Sequence, residues 1–364
     1  MSEELVSQVA LDLIPGIGNQ GTKHLISYCG SAKDVFNAPK NKLLKIPGVG
    51  EKLAQTIIGS NSFREAEEII QKVDRIGAKI LHFTDSRYPK KLKNTPDAPN
   101  LLYTRGTGDL NPRKSIAVVG TRKATEYGKK ITEKIIEDLK DIEVTVVSGL
   151  AYGVDIHAHK ACLKNHISTA AVLAGGLDRI YPSVHKKYAE EIQQQGVILT
   201  ESIPGTKPER HLFPARNRII AGMTDATIVV EAAEKGGALI TAHIADSYNR
   251  VVFAVPGNVG NSHSEGTNRL IASQKALIYT GVEDLIYHLN WDVEANERPT
   301  QEVPDLPEDE RIIFELLRSE GKPLEIDLIS IKTQIPINKV ASLLLSLEFQ
   351  NLVRSLPGKK FGLK

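Results

Sequence analysis

The 364-residue sequence has two cysteines, one tryptophan and a formal net charge of only +2, and these shortages exclude several classes of protein. Cys29 and Cys162 follow no metal-ligand spacing, so we expect a reducing compartment, with neither a disulfide framework nor a zinc site. Because the net charge is small, any nucleic-acid surface must be local. No apolar run approaches the roughly 20 residues of a membrane helix, and the first residues do not resemble a secretory signal. We therefore expect a cytoplasmic protein without membrane contact.

The first stretch, residues 1 to 75, contains a near-repeat that predicts a helix-hairpin-helix domain. The segment I-P-G-I-G at 14–18 returns as I-P-G-V-G at 46–50, and each copy lies between apolar segments of helical spacing. In such a hairpin the glycines let the backbone approach a phosphate, and the next helix offers free N–H groups. Contacts of this kind hold nucleic acid without reading bases. The alternative is that the two units only pack on each other.

The second stretch, residues 76 to 290, alternates short β-branched runs with amphipathic segments. This alternation predicts an α/β fold with an extended Rossmann-like, doubly wound sheet, in which continuous apolar runs are strands buried on both faces. The predicted strands are Ile116–Val119, Val144–Ser148, Thr169–Ala174, Val197–Glu201, Ala226–Glu231, Arg250–Val255 and Ala276–Tyr279. Small residues follow several of them, so we expect the functional loops at the carboxyl edge of the sheet.

The amino-acid composition and periodicity change twice in the last part of the chain. Residues 291 to 307 are polar, acidic and rich in proline, which predicts a linker. Residues 308 to 364 carry three helical patterns followed by a hairpin, which predicts a winged-helix domain. The third helical pattern offers a single basic residue, Lys339, to solvent and is poorly suited to reading a DNA groove. A winged-helix transcription regulator is therefore a weaker alternative.

The loop after the first parallel strand departs from the dinucleotide-binding pattern. That pattern is G-x-G-x-x-G, and here Arg122 stands where the second glycine would be, two residues after Gly120. We expect an anion site in which the Arg122 guanidinium lies beside free N–H groups at the start of a helix. Ser148 and Gly149 end the next strand and form a second small-residue loop at the same edge. Plain tight turns are the alternative.

Residues 203 to 218 form the longest polar connection and combine basic residues with Phe213. This combination suits a single nucleic-acid strand, with guanidinium groups on phosphates and a ring on an unstacked base. We expect Arg122, Arg210 and Arg216 to share one face at the carboxyl edge of the sheet.

Structural interpretations of the same residues remain open. Phe213 could belong to the core, and Arg216 or Arg218 could pair with Glu201 or Glu231.

No arrangement of residues in the sequence indicates catalysis. His157 and His159 point to different faces of a helix, so we expect no shared metal and interpret Asp155 and His159 as structural hydrogen-bonding residues. No nucleophile–base pair or carboxylate dyad is evident. We therefore expect a binding protein without a cofactor, not an enzyme.

The central stretch resembles the DprA/Smf family of DNA-processing proteins, and the resemblance runs in order over residues 80 to 280. The segments that carry it are Val118–Arg122, Val147–Ala151, Gly176–Asp178, Tyr181–Pro182, Phe213–Pro214, Arg216–Gly222, Val230–Ala232, Leu239–Ala242, Val252–Gly257 and Gly266–Asn268. Tyr152 is a departure, because it stands where relatives have an arginine, and this removes one possible phosphate contact.

The resemblance implies a sequence-tolerant binder of single-stranded DNA that protects incoming DNA in natural transformation and assists its loading onto the RecA recombinase. It also implies homodimerisation. By matching position, the DNA contacts fall on Gly120, Thr121, Arg122, Ser148, Gly149, Arg210, Phe213, Arg216 and Asn217.

The rival reading is a nucleotide phosphoribohydrolase on a related Rossmann-like fold. Such an enzyme would need a threonine and then a glutamate after its glycine turn. The turn at Lys235–Leu239 lacks both residues, so the carboxylate for N-glycosidic cleavage is absent there.

Overall fold

The computed structural model describes residues 2–291, 306–320, 323–350, 352–356 and 359–363. The chain divides into two compact units, Met1–Asp292 and Val293–Lys364. Among the described residues, no helix combines the length and the apolar character that crossing a membrane would require.

The first unit begins with helices and two glycine hairpins. The helices are α1 (Glu3–Asp12), α2 (Asn19–Cys29), α3 (Ala32–Asn37), α4 (Lys40–Leu43), α5 (Glu51–Ile58) and α6 (Phe63–Arg75). Gly16 and Gly48 turn the chain with φ of 88° and 84°, and α2 and α5 then begin directly after Gly18 and Gly50. The predicted helix-hairpin-helix is confirmed.

The helical segment is joined to the sheet that follows it. The side-chain amide of Asn19 donates to the carbonyl of Asp97, and that of Gln20 donates to the carbonyl of Pro96. Val9 and Ile69 share a buried core with Tyr103 of the sheet. The start of α2, directly after the first hairpin, therefore contacts the segment that precedes β2.

A nine-stranded sheet follows. Its strands are β1 (Lys79–His82), β2 (Leu101–Gly106), β3 (Ser115–Val119), β4 (Thr145–Ser148), β5 (Thr169–Val172), β6 (Val197–Thr200), β7 (Ala226–Val229), β8 (Val251–Ala254) and β9 (Leu277–Ile278). Their order is β1-β2-β6-β5-β4-β3-β7-β8-β9. The pairs from β6 to β9 are parallel, whereas β2 is antiparallel to both of its neighbours. All seven predicted strands are present, with ends shifted by one or two residues.

The sequence patterns did not predict β1 and β2. β1 contains two apolar residues among four, Ile80 and Leu81, and its first residue is exposed. A strand at the sheet edge needs no continuous apolar run, so its pattern is weak.

Helices cover both faces of the sheet. They are α7 (Lys90–Lys93), α8 (Glu126–Asp138), α9 (Val154–Lys164), α10 (Lys186–Gln195), α11 (Leu212–Gly222), α12 (Gly237–Ser247), α13 (Glu265–Ala272) and α14 (Val282–Leu289), with a 3₁₀ turn at Ser183–His185 before α10. Along β3, Ala117 and Val119 pack with α11 and α12, while Ile116 and Val118 pack with α8, α9 and α14. This arrangement is the predicted doubly wound fold.

The winding reverses at β3. The chain passes from β3 through α8 to β4 on one side, and returns from β6 through α11 to β7 on the other side. In open α/β sheets, ligands bind at such a switch point, outside the carboxyl ends of the strands. The loop after β3 and the start of α11 are therefore the places to look for a site.

The second unit has the predicted winged-helix elements. They are α15 (Glu308–Glu320), β10 (Leu324–Glu325), α16 (Ile326–Thr333), α17 (Ile337–Phe349), β11 (Val353–Leu356) and β12 (Lys360–Leu363), with sheet order β10-β12-β11. Phe314, Val340 and Leu344 form part of its core. The predicted linker at 291–307 lies largely outside the described residues.

Candidate functional site

The buried residue Glu231, which is 1% exposed, makes hydrogen bonds to the loop that follows β3. The N–H of Thr121 donates to the Glu231 carbonyl at 2.7 Å. The Thr125 N–H and hydroxyl donate to the Glu231 carboxylate at 2.9 and 2.5 Å. The protein's own carboxylate thus occupies the start of α8. Among the first N–H groups of α8, that of Gly128 donates to the Thr125 hydroxyl at 3.1 Å, and a phosphate contact by the others stays a prediction.

Two glycines allow the loops after β3 and β4 to approach each other closely. Gly153 has φ of 75°, and a Cβ there would lie 2.1 Å from the Thr121 carbonyl oxygen. A Cβ on Gly120 would lie 2.4 Å from Cγ2 of Val154. These glycines are required by packing.

A buried carboxylate organises the loop after β4. Asp155 accepts hydrogen bonds from the N–H groups of Gly149 and Ala151, and burial raises the pKa of its carboxyl group against the attraction of Arg216. The Ser148 hydroxyl is fully buried and donates to the Val118 carbonyl at 2.7 Å. The Ser148 hydroxyl and the Gly149 N–H, both expected to contact DNA, therefore already have partners inside the protein.

Arg216 lies behind this loop and is only 4% exposed. One terminal nitrogen of its guanidinium donates to the carbonyl oxygens of Gly149, at 2.6 Å, and of Val172. Burial lowers the pKa of Arg216 to about 10, so the group stays charged at neutral pH. A Cβ on Gly149 would lie 2.5 Å from the guanidinium. The predicted position of Arg216 on the exposed face is wrong; its charge is used inside the fold.

His159 is fully buried in the same region. Its Nδ1 and the Thr169 hydroxyl are 2.8 Å apart, which confirms the structural hydrogen bond that we predicted. Burial lowers the pKa of His159 to about 3. Within the described ranges, no group of three or more His, Cys, Asp or Glu residues is arranged to hold a metal ion.

The pKa of His159 predicts acid sensitivity. Because the folded pKa of about 3 lies below the unfolded value near 6.5, the unfolded state binds the proton first as the pH falls. We expect this residue to remove about 2 kcal/mol of unfolding free energy between pH 7 and pH 5. Urea unfolding of wild type and His159→Asn at both pH values measures it. An equal pH dependence in the two proteins would contradict the assignment.

The exposed part of the site combines a cation with aromatic rings. Phe213 is half-buried in the first turn of α11, and Cζ of the exposed Arg122 lies 4.9 Å from its ring centroid. The ring of Tyr181, which follows β5, lies edge-on at 5.8 Å between centroids. The polar connection predicted at residues 203 to 218 is thus shorter, because α11 already begins at Leu212. Phe213 is neither a core residue nor an isolated ring in a loop.

The other basic residues of the connection fall into two groups. Arg210 is exposed in the turn before α11, and Asn217 is half-buried within α11. Arg218 pairs with Glu201 and also donates to the Asp97 carbonyl. The structural pairing of Arg218 with Glu201 is confirmed.

Sequence reasoning missed Tyr152 and Tyr181 as aromatic surfaces, although each is 47% exposed at the carboxyl edge of the sheet. Tyr181 follows the small-residue turn Gly175–Asp178 after β5. A large aromatic residue that follows a glycine turn at a strand end was the available signal.

Family and structural comparisons agree with this architecture. The family described as DNA recombination-mediator protein A matches residues 79–290. A DprA winged helix domain family matches residues 297–359, and a SAM-like helix-hairpin-helix tandem family matches residues 9–60. Protein Smf of Synechocystis is 32% identical over 97% of both chains. The DNA processing protein DprA of Streptococcus pneumoniae is 41% identical over 55% of this chain and 71% of that protein.

Two solved structures of relatives share the fold. The X-ray structure of DprA from Streptococcus pneumoniae superposes with a TM-score of 0.68 at 31% identity, covering 79% of this chain and 98% of the other. The structure of DprA from Helicobacter pylori, described for its unique single-stranded DNA binding mode, superposes with a TM-score of 0.54 at 31% identity. This match covers 59% of this chain and 96% of the other.

Fold and site together define a doubly wound α/β protein with a helix-hairpin-helix before its sheet and a winged helix after it. The chain belongs to the DNA recombination-mediator protein A family, also known as DprA or Smf.

Proposed function

We propose that this protein binds single-stranded DNA at the carboxyl edge of its large sheet. The observation that carries the proposal is the Arg122 guanidinium above the ring of Phe213, beside Tyr181, on an exposed edge at the switch point. A cation and rings on one surface can hold a phosphate and stack an unpaired base. The single-stranded DNA named for the Helicobacter pylori relative supports the same ligand.

The predicted contact residues take two roles in this proposal. Arg122 and Arg210 hold phosphates, Phe213 stacks on a base, and Asn217 borders them. Gly120, Thr121, Ser148, Gly149 and Arg216 support the loops from inside. Because the contacts address phosphates and base faces, binding tolerates different base sequences.

The bound strand is proposed to be protected and passed to the RecA recombinase during natural transformation, by a homodimer and without catalysis. The exposed edge strand β9 supports self-association, because Leu277 and Ile278 are 38% and 48% exposed there. Unpaired sheet edges are usually covered or protected. Sedimentation of wild type and Leu277→Lys tests the dimer, and a monomeric wild type at micromolar concentration would contradict it.

Fluorescence anisotropy with labelled oligonucleotides tests the binding proposal. We expect mixed-sequence single strands of equal length to bind with similar affinity, and the matching duplex to bind more weakly. RecA filament assembly on the same strands tests the transfer. Nucleoside monophosphates incubated with the protein test the alternative, since release of free base would show a phosphoribohydrolase.

Arg122→Ala is expected to weaken binding and to flatten its salt dependence. One phosphate contact contributes about 0.7–1 to the slope of log affinity against log salt. Anisotropy titrations at several salt concentrations measure this slope. Lys140→Ala is the matched control, because that exposed lysine follows the far end of α8. Weaker binding with an unchanged slope would show that Arg122 only shapes the surface.

A further inference from the structure

A pocket of about 470 Å³ adjoins the proposed strand site. Tyr152, Tyr181, Arg179 and Lys186 are among its lining residues. Because the Tyr181 ring also contacts Phe213, the pocket begins where the Arg122–Phe213 surface ends. Its volume lies within the range of about 300–1,000 Å³ for sites that enclose small ligands, which is enough for one nucleotide base.

The two tyrosines offer accessible ring surface. Each is 47% exposed. The Tyr152 ring lies edge-on to His185 at 5.1 Å between centroids, and Nδ1 of His185 is 2.8 Å from the Leu150 carbonyl oxygen. The Tyr152 ring is therefore supported on one side by a buried, hydrogen-bonded group. A supported ring with a free surface is suited to stacking.

The charges around the pocket favour an anionic ligand. Arg179 and Lys186 are exposed, and the one carboxylate, Asp178, accepts from the Gly205 N–H at 2.8 Å and lies 3.9 Å from Nε of Arg179. The negative charge of Asp178 thus offsets the positive charge of Arg179, and the positive charge of Lys186 gives the lining its net charge. Rings together with a net positive charge match a base and its phosphate.

We propose that this pocket is a second nucleotide subsite, in which a base of the strand held at Phe213 stacks on Tyr152 while Lys186 contacts its phosphate. The inference rests on the proposed function. Tyr181 connects the two sites, because its ring centroid lies 5.8 Å from that of Phe213 and the same residue lines the pocket together with Tyr152.

Affinity measured against oligothymidine length tests the subsite. Lengths of about 2 to 20 nucleotides bracket the usual site size of about 4–16 nucleotides. We expect Tyr152→Ala to weaken the longer oligomers by about 5- to 150-fold and to leave the shortest nearly unchanged. Tyr152→Phe keeps the ring and should bind like wild type. Tyr28→Ala, at an exposed tyrosine of α2, is the control for loss of an exposed ring.

Photocrosslinking of the wild-type protein gives a test that needs no variant. An oligothymidine with one 5-iododeoxyuridine at successive positions should crosslink to the peptide containing Tyr152 at one position and to that containing Phe213 at another. Crosslinks at Phe213 alone, or equal length dependence in Tyr152→Ala and wild type, would overturn the subsite and leave the proposed function intact. Absence of oligonucleotide binding by wild type would overturn both.

Discussion

Replacing Arg216 by alanine is expected to lower the unfolding free energy of the first unit by about 3–5 kcal/mol. Arg216 and Asp155 are both buried and attract each other electrostatically, so removal of the guanidinium leaves the Asp155 carboxylate as a buried charge without compensation. The carbonyl groups of Gly149 and Val172 lose their donor as well. For a unit of this size the loss corresponds to a Tm lower by about 5–8 °C, which calorimetry measures.

Two further variants separate this explanation from a direct phosphate contact. Arg269→Ala removes an exposed pair with Glu234 and should cost less than about 1 kcal/mol. Combining Asp155→Asn with Arg216→Met removes both buried charges, so its cost should be smaller than the sum of the single changes. If Arg216→Ala has the Tm of wild type and a flatter dependence of DNA affinity on salt concentration, Arg216 contacts a DNA phosphate and the buried structural role is contradicted.

Phe213→Ala is expected to weaken single-strand binding by about 5- to 150-fold, the factor for a base stack worth about 1–3 kcal/mol. The cost in stability should be about 1–2 kcal/mol, because the ring is half-buried and its neighbours include Arg122 and Tyr181. Anisotropy and thermal unfolding on the same variant measure both quantities.

The comparison with other aromatic substitutions makes this result specific. Phe213→Trp keeps a stacking surface and should retain binding. Phe63→Ala removes a partly exposed ring that packs on Phe36 at 4.6 Å in the helical segment, and should change stability without changing affinity. A stability loss of about 3–5 kcal/mol for Phe213→Ala, with binding intact in the cold, would identify Phe213 as a core residue.

The buried strands were predictable because a strand covered on both faces must be apolar throughout. Val118 and Val146 belong to such runs, and helical spacing between the runs indicated the doubly wound sheet. β1 escaped prediction because it lies at the sheet edge, where a strand need not be apolar throughout. The glycine hairpins before α2 and α5 were predictable because their turns require positive φ at Gly16 and Gly48.

The sequence by itself thus determined the order of elements, the loops at the carboxyl edge of the sheet, and a set of basic and aromatic residues on those loops. Only the tertiary structure decided which of them face solvent. Arg122 and Arg216 look alike as residues, but Arg216 is enclosed by loops from β4 and β5 while Arg122 lies above Phe213. The physical reason is that exposure depends on packing between segments distant along the chain. Glu231 shows the same point, because its carboxylate fills the start of a helix 106 residues away.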